Sequence, residues 1–566
     1  MAYQAAPPFM DRDSLSVARE RGMDSQQLRA LMSDVLSCIH HSLPDPPISA
    51  KARLAALAEP DGCGGADLFS LLPDALLGNI VSRLPVKDAA RTAVLSRRWR
   101  PIWLSAPLAL VDAHLLPAGG SDEIPSHLER ADSDAVAAAV SRILAAHPGP
   151  IRSAHLTRSY MDLYRDQVVR WLQHLAVKGV QELVLINRPW PLDLDKPIPT
   201  TFFSMAALTR LYLGYWRFPD TAGLPRGASF PHLRELRLYG VFINSRDIHF
   251  VLARSPVLAI LCFQGHISPL RLRLVSHSLR CVQIVGSDLE SIDVVDTPLL
   301  ERLLLPMNLT IDRSSSRIKI GYAPLLRLFG CLETAKHVLQ IGNTVIKAGT
   351  VINPSAMVAS VKTLDLKVRF SVRNDVKMLQ SFLRCFPNVE TLHIHSKKTT
   401  ESTGRLNLKF WQESGAIECI KSHISVMPFY DFRGERSELA FLKFFVENAQ
   451  MLKYLVIVLA KGCFSSMAEA SAKVKIVFTG KRAIECCSLV ICESAYPEDD
   501  IPWNFQKSCD FSCRDPFGFI HRRPFGISRM VLSTKTTEST GRLKLKFWQE
   551  SSAFECIASH VNVMAF

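Results

Sequence analysis

The sequence predicts an α/β protein: three short N-terminal helices, then a long irregular solenoid of stacked strand-and-helix units, then a capping strand–turn–helix–strand. Three observations carry this. Residues 67–104 hold helix-spaced apolar residues punctuated by two Leu-Pro steps. A leucine-x-leucine core recurs from about 109 to 395. A Gly-containing turn at 434 precedes an amphipathic stretch at 437–449. The 566-residue chain is 48% apolar and 21% charged, ordinary for a globular protein. At roughly 150 residues per domain, about four units are expected.

Residues 1–64 read as an N-terminal extension with one amphipathic helix. Leu28, Leu31, Met32, Val35, Leu36 and Ile39 keep helical spacing to about His41, with Asp24 or Ser25 as the cap. Pro44, Pro46 and Pro47 end it, and Asp61-Gly62-Cys63-Gly64-Gly65 reads as a joint. The first residues lack the charged-then-apolar layout of a signal peptide. No run of about 18 apolar residues predicts a membrane span. A reducing compartment, cytoplasmic and/or nuclear, is therefore expected, with no membrane partner.

Residues 65–108 are denser in signal. Pro73 opens a first helix, where a missing N–H costs nothing, and Leu76, Leu77, Ile80, Val81 and Leu84 form one face. Pro85 stops it. Asp88 begins a second helix running to Leu95, and Ser96 caps a third that carries Trp99 and Trp103 four apart. Helices this short cannot bury so much apolar surface alone, which predicts a partner face. Leu-Pro at 72–73, Ile-Val-Ser-Arg-Leu-Pro at 80–85, then Val-Leu-Ser-Arg-Arg-Trp-Arg at 94–100 and Trp103 resemble the plant F-box over its full length. The resemblance implies docking on a Skp-type adaptor, and through it a cullin. Leu72, Pro73, Leu77, Ile80, Leu84, Pro85, Leu95 and Trp99 are the expected adaptor contacts.

From 109 to 400 the repeating unit is leucine or valine, two residues, then leucine-x-leucine. Examples are Val180/Leu183/Leu185, Leu208/Leu211/Leu213, Leu233/Leu236/Leu238, Leu300/Leu303/Leu305, Val361/Leu364/Leu366 and Val389/Leu392/Ile394. The first steps are 28 residues (183 to 211) and 25 residues (211 to 236). Such a period means stacked units that bury their leucines against their neighbours. The units resemble irregular leucine-rich repeats lacking a regular asparagine ladder. Two stretches, 305 to 364 and 394 onward, show weak units or none.

Residues 401–480 run Leu408-Lys409-Phe410-Trp411, Asp431-Phe432-Arg433-Gly434, then an apolar stripe at Leu439, Leu442, Phe445, Val446 and Ala449, then Leu452, Leu455 and Ile457. Ser437 is the expected cap of that helix. The Phe-Arg-Gly turn and the Glu-Asn-Ala end at 447–449 resemble the FBD module that follows leucine-rich repeats in plant F-box proteins. The module has no assigned chemistry and is expected to add a further solenoid turn. Pro428 in the preceding strand predicts an edge or a bulge.

Residues 481–525 form a C-terminal tail, and 526–566 a partial duplicate. Residues 533–566 repeat 396–429 with eight differences. The copy stops at Phe566, before any equivalent of the Phe-Arg-Gly turn, so it is expected to be poorly ordered or docked on the array edge. The resemblance implies a family ending near a Trp-to-Asp-Pro-Phe stretch, here Trp503 to Phe517.

Catalytic signatures are absent: no Gly-x-Ser-x-Gly, no P-loop, no His-Glu-x-x-His. The fourteen cysteines sit mostly in apolar segments and read as buried thiols. Cys486, Cys487, Cys492, Cys509, Cys513 and His521 lack paired zinc knuckles, so no metal and no cofactor is expected. His393 and His395 share one strand face without an evident third ligand. The net charge of +14 is spread, its tightest cluster being Arg97-Arg98-Trp99-Arg100. It points to an acidic target or phosphodegron held by arginines on a concave face, rather than to nucleic acid.

The resemblance as a whole implies a non-catalytic substrate-recognition subunit of a Skp-cullin-F-box ubiquitin ligase with an unknown target protein. Two alternatives stay open: a non-degradative F-box scaffold or decaying paralogue, and a basic nucleic-acid-binding protein.

Overall fold

The computed structural model describes residues 42–49, 71–116, 130–188, 197–225, 227–266, 269–306, 315–404, 406–413, 415–478, 487–494 and 504–517, with two short strands at 530–532 and 546–547. The expected helix at 24–41 lies outside them. The chain divides into two compact units, Met1–Leu289 and Glu290–Phe566.

The first unit opens with α1 (Asp74–Val81), α2 (Val86–Thr92) and α3 (Trp99–Ser105). Pro73 and Pro85 are the N-cap residues of α1 and α2, with extended ψ of 148° and 140°. A proline there has no amide to leave unpaired, and its fixed φ leads into the first turn. The second helix therefore starts at Val86 rather than Asp88, and it ends short of Leu95. The N-cap of α3 is Arg98 rather than Ser96, with no side-chain cap bond, and the Ser96 carbonyl accepts from the Trp99 amide at 3.2 Å.

Strands β1 (Leu108–Val111), β2 (Ile151–Leu156), β3 (Glu182–Ile186), β4 (Arg210–Gly214), β5 (Glu235–Tyr239) and β6 (Ile260–Gln264) follow. After β7 (Leu270–Val275) comes β8 (Cys281–Val285). Strands β1 to β6 and β8 pair in that order, all parallel. The register puts Leu183, Leu211, Leu236, Leu261 and Val282 in one row, and Leu185, Leu213, Leu238, Phe263 and Ile284 in another. Both rows are buried, which is what an alternating strand does with its period-2 apolar set. One backbone bond links successive units: the amide of Thr209 donates to Gln181, Arg234 to Thr209, Ala259 to Arg234 and Arg280 to Ala259. Helices α4 (Arg130–Ala146), α5 (Arg165–Val177) and α6 (Ser245–Ala253) occupy the connections.

The three-helix module joins this array without a loose linker. The Trp103 ring on α3 meets His147 edge-on at 5.2 Å, and His147 Nε2 lies 3.2 Å from the Ala106 carbonyl. Lys178 donates to the His147 carbonyl. A Cβ on Gly149 would stand 2.5 Å from the Leu104 carbonyl, so only glycine lets the chain pass there.

The second unit continues the parallel pattern with β10 (Arg302–Leu304), β12 (Leu328–Glu333), β15 (Thr363–Val368), β16 (Thr391–Ser396), β17 (Val426–Phe432), β18 (Tyr454–Leu459) and β19 (Ser488–Glu493). The stretch 305–364, weak in the sequence pattern, supplies β12. It also supplies β11 (Ser316–Tyr322), β13 (His337–Ile341) and β14 (Thr344–Val345), which form a second sheet with β9 (Leu289–Asp296). Ile292/Val294, Ile318/Ile320 and Leu339/Ile341 alternate as buried residues, so these connections keep a strand period where helices were expected.

Helices α7 (Arg373–Cys385), α8 (Leu408–Glu413), α9 (Glu418–Ser422), α10 (Arg436–Asn448), α11 (Met467–Lys475) and α12 (Phe505–Cys509) complete this unit. Strand β17 lies between β16 and β18 rather than at an edge. Its register is irregular between Phe429 and Phe432, where Asp431 has φ +58°. The cap of α10 is Glu435, not Ser437, in a reciprocal capping box with Glu438. Glu438 also accepts from Ser396 Oγ at 2.6 Å and from the Arg433 amide at 3.0 Å, while Arg433 Nη1 donates to the Ser396 carbonyl at 2.8 Å. Burial pushes the Glu438 carboxyl up to about 7 despite these bonds.

The Phe-Arg-Gly turn thus ties β16, β17 and α10 together. Gly434 holds φ +72°, and an added Cβ would lie 3.0 Å from Lys473 Cδ and 3.2 Å from Phe464 Cζ. Gly434→Ala is expected to cost about 1–3 kcal/mol, the range for non-glycine residues forced into this region. A denaturant melt showing wild-type stability would contradict that.

Candidate functional site: an apolar three-helix face and a filled strand face

The expected adaptor contacts separate by burial. Leu77 and Pro85 are buried within the chain itself, so they hold the three helices together and present no surface. Leu72, Ile80, Leu84 and Trp99 are half-buried, and Pro73 is exposed. Leu95 is 66% exposed. The structure adds Leu71 at 75%, Leu76 at 52% and Val94 at 83% exposure. Only the helical ends and phase decide which leucines of this run face out, so composition did not single these three out. Arg98, inside the basic cluster, is committed internally. Its Nε donates to Asp74 Oδ1 at 2.8 Å, and its Nη2 donates to the Leu72 carbonyl. It therefore ties the start of α3 to the Leu-Pro step.

On the strand face of the first unit, the positions between the leucines run Val184, Tyr212, Arg237, Cys262 and Gln283, in register across β3 to β8. All are buried. Arg237 Nη1 and Tyr239 OH donate to the Ser42 carbonyl at 3.3 and 3.1 Å, so Ser42 lies on this face. Charges alternate along it: His155 Nε2 is 2.6 Å from Glu182, Glu182 is 3.0 Å from Arg210, and Arg237 Nε is 2.6 Å from Glu235. The expected open face lined by free arginines is not what these residues form. Arg237 is spent on the fold.

The strand face of the second unit is filled in the same manner by residues 504–517. The buried Arg302 on β10 donates Nη1 to the Ser508 carbonyl at 3.0 Å and Nη2 to the Cys513 carbonyl at 2.6 Å, with the Phe511 ring 5.1 Å from its guanidinium. His393 on β16, fully buried, places Nε2 2.9 Å from Asp515 Oδ2 and Nδ1 3.1 Å from Tyr430 OH. Phe517, 3% exposed, packs with Leu304, Leu328 and Cys331. Its ring sits where a Gly330 side chain would be: a Cβ there would be 2.1 Å from Phe517 Cζ. His395 Nε2 is 3.0 Å from Asp365 Oδ2 and stacks on Tyr430 at 4.4 Å. The two histidines do share a face, as their alternation predicts, and their partners are carboxylates.

Burial pulls the His393 imidazole toward its neutral form, but Asp515 and Asp365 outweigh it and hold the group above its ordinary value. A raised folded pKa stabilises below the unfolded value of about 6.5 and loses that contribution as pH rises through the folded value. Protection of the 505–510 amides from exchange, corrected for intrinsic rates, is therefore expected to be greater at pH 6 than at pH 8. His393→Asn should flatten the difference. Tyr430, His395 and Asp365 also face this imidazole.

Among the described residues, no group of three His, Cys, Asp or Glu side chains is placed to hold a metal. None of the described helices is long and apolar enough to cross a membrane. Cys262, Cys281, Cys331, Cys385, Cys419, Cys487 and Cys492 are buried thiols, and Cys463 is exposed. Cys486 and His521 lie outside the described residues.

Comparison with known proteins agrees with this order of parts. Residues 69–109 match the F-box domain family, 168–394 the leucine-rich repeats of the FBD-associated F-box protein At5g56370 family, and 412–457 the FBD family. The chain is 24% identical over 425 residues to the F-box/FBD/LRR-repeat protein At1g13570 of Arabidopsis thaliana, covering 73% of this chain and 94% of that protein. It is 26% identical over 404 residues to the F-box/LRR-repeat protein At5g02910 of the same plant, covering 65% and 81%. A shorter match, 30% over 205 residues, is to the F-box/LRR-repeat protein At3g03360, covering 34% and 37%.

Proposed function

We propose, from a chain that carries F-box, leucine-rich-repeat and FBD domains in succession, that it is the target-recognition subunit of a Skp-cullin-F-box ubiquitin ligase. The observation that carries this is the concentration of Leu71, Leu76, Val94 and Leu95, all exposed, on one small helical module. Water-facing aliphatic groups at that density mark an interaction surface. The site is the set Leu72, Pro73, Ile80, Leu84, Leu95 and Trp99, framed by Leu71, Leu76 and Val94, with Leu77 and Pro85 as internal support. The bound partner is a Skp-type adaptor, and through it a cullin.

The chain contributes no reacting group. Its role is to hold a target lysine near a ubiquitin-charged enzyme, so that transfer becomes effectively intramolecular. A cytoplasmic or nuclear location goes with this reading. The experiment is a pull-down of the full chain by a plant Skp-type adaptor, followed by a reconstituted ubiquitination assay. Capture without any ubiquitinated product favours the non-degradative scaffold. Salt-steep binding to RNA with no adaptor capture favours the nucleic-acid reading.

A further inference from the structure

The repeats' strand face in the second unit has the marks of a peptide-reading surface. A buried guanidinium contacts main-chain carbonyls at the end of α12 and just beyond it, a contact that does not depend on side-chain identity. A buried imidazole contacts a carboxylate. A glycine on β12 leaves room for one aromatic ring. Carbonyl clamp, acid pair and aromatic anchor are the elements by which folded domains read short segments. All three are met here by one stretch of this same chain, through Ser508, Cys513, Asp515 and Phe517.

We propose that the strand face around Arg302, Gly330 and His393 is a peptide-recognition slot, filled in cis by residues 504–517, that accepts target segments bearing an acidic residue two positions before a phenylalanine. The proposal rests on the target-recognition reading above and names the chemistry of the target. With the slot empty, the buried Arg302 and His393 lose the partners that offset their desolvation, so the face favours occupancy by some segment. The cis segment belongs to the same chain, so its binding is intramolecular and is favoured over a free peptide of equal intrinsic affinity. A target must outcompete it, so the tail sets a threshold on which segments enter. Asp515 is the more exposed anchor, with 31% of its side chain accessible, and Phe517 the deeper one.

The test uses the full chain and a fluorescein-labelled synthetic peptide of residues 504–517. Asp515→Ala with Phe517→Ala removes both side-chain anchors of the cis segment and leaves the slot intact. That variant is expected to bind the peptide at least about tenfold more tightly than wild type, as a weakened tether competes less. Adding Gly330→Val should abolish the gain. Equal binding by wild type and the double variant overturns the proposal.

If the double variant does not fold, hydrogen exchange on the wild-type chain decides instead. Millimolar peptide should speed exchange of the 505–510 amides, and unchanged exchange overturns the slot. Adaptor capture is measured on the same preparations. Capture without peptide binding sinks the slot alone. Peptide binding without capture sinks the ligase reading and leaves the slot standing.

Discussion

A full-length chain carrying Leu72→Ala and Pro73→Ala is expected to lose at least about 100-fold in affinity for a plant Skp-type adaptor. Anchors at the dry centre of an interface are each worth ~2 kcal/mol or more, and 1.4 kcal/mol is a factor of ten. Leu72 and Pro73 stand at the entry to α1, where Arg98 grips the Leu72 carbonyl and Asp74. Pro73 is also the N-cap of α1, so part of the loss can come from a frayed helix. Val94→Asp with Leu95→Asp separates the two causes. Both side chains are mostly exposed, so charges there leave the fold alone while opposing an apolar partner. Adaptor titrations by calorimetry, with a thermal melt of each variant, give the readout. Wild-type affinity in both double variants would end the adaptor reading.

Trp411→Ala is expected to be the most damaging single truncation for stability, at about 3–5 kcal/mol. Trp411 is fully buried on α8. Its ring lies 5.4 Å from Phe444 in a stacked arrangement and 5.1 Å from Phe441, both on α10. Phe441 in turn packs at 5.2 Å on Phe370 and at 6.2 Å on Phe429 of β17. Deleting the indole opens a cavity at the hub of this cluster, and the neighbouring rings sit on separate elements that cannot all close in. Trp411→Phe keeps much of the volume and should cost clearly less. The check is a denaturant titration of the three proteins. A loss below about 1 kcal/mol for the alanine variant would show that the cluster repacks.

Much of the architecture was legible because its signals are periodic. Leucine-x-leucine fixes both the parallel register and the buried rows, and the Leu-Pro steps fix the starts of α1 and α2 to within a residue or two. What escaped was set by tertiary context. Strand β12 was missed because Phe329 and Cys331 stand where the unit usually has leucine-x-leucine, although Leu326 keeps the leading position three residues earlier. Lys409-Phe410 is helical in α8, whereas the identical pair Lys546-Phe547 is strand β21 (Lys546–Phe547), paired antiparallel with β20 (Met530–Leu532). Beside β20 stands β19, so that part of the duplicate extends the sheet edge. Local sequence cannot tell these outcomes apart, since Trp411 reaches α10 only through the fold.

For the candidate site, the apolar character of 71–99 was readable, but which leucines face outward was not. Leu77 turns inward and Leu76 outward, a difference of one position in helical phase. The filled strand faces were invisible for another reason. They join residues 195 apart in sequence at Ser42 and Arg237, and about 122 apart at His393 and Asp515. No spacing rule reaches that far. Arg237 and Arg302, on the two strand faces, donate to carbonyls of their own chain.

The contact of Trp103 with His147, closed over Gly149, has a mechanical meaning. On the proposed ligase reading, a flexible leash between the three-helix module and the repeats would let a captured target sweep a wide volume, offering many lysines briefly and none for long. A packed joint does the reverse. It fixes the aim of the first repeats, so that for a target held there the few lysines within range are set by geometry rather than by chance encounter. On that proposed reading, the choice of modified lysine is then partly written in an indole, an imidazole and a missing side chain.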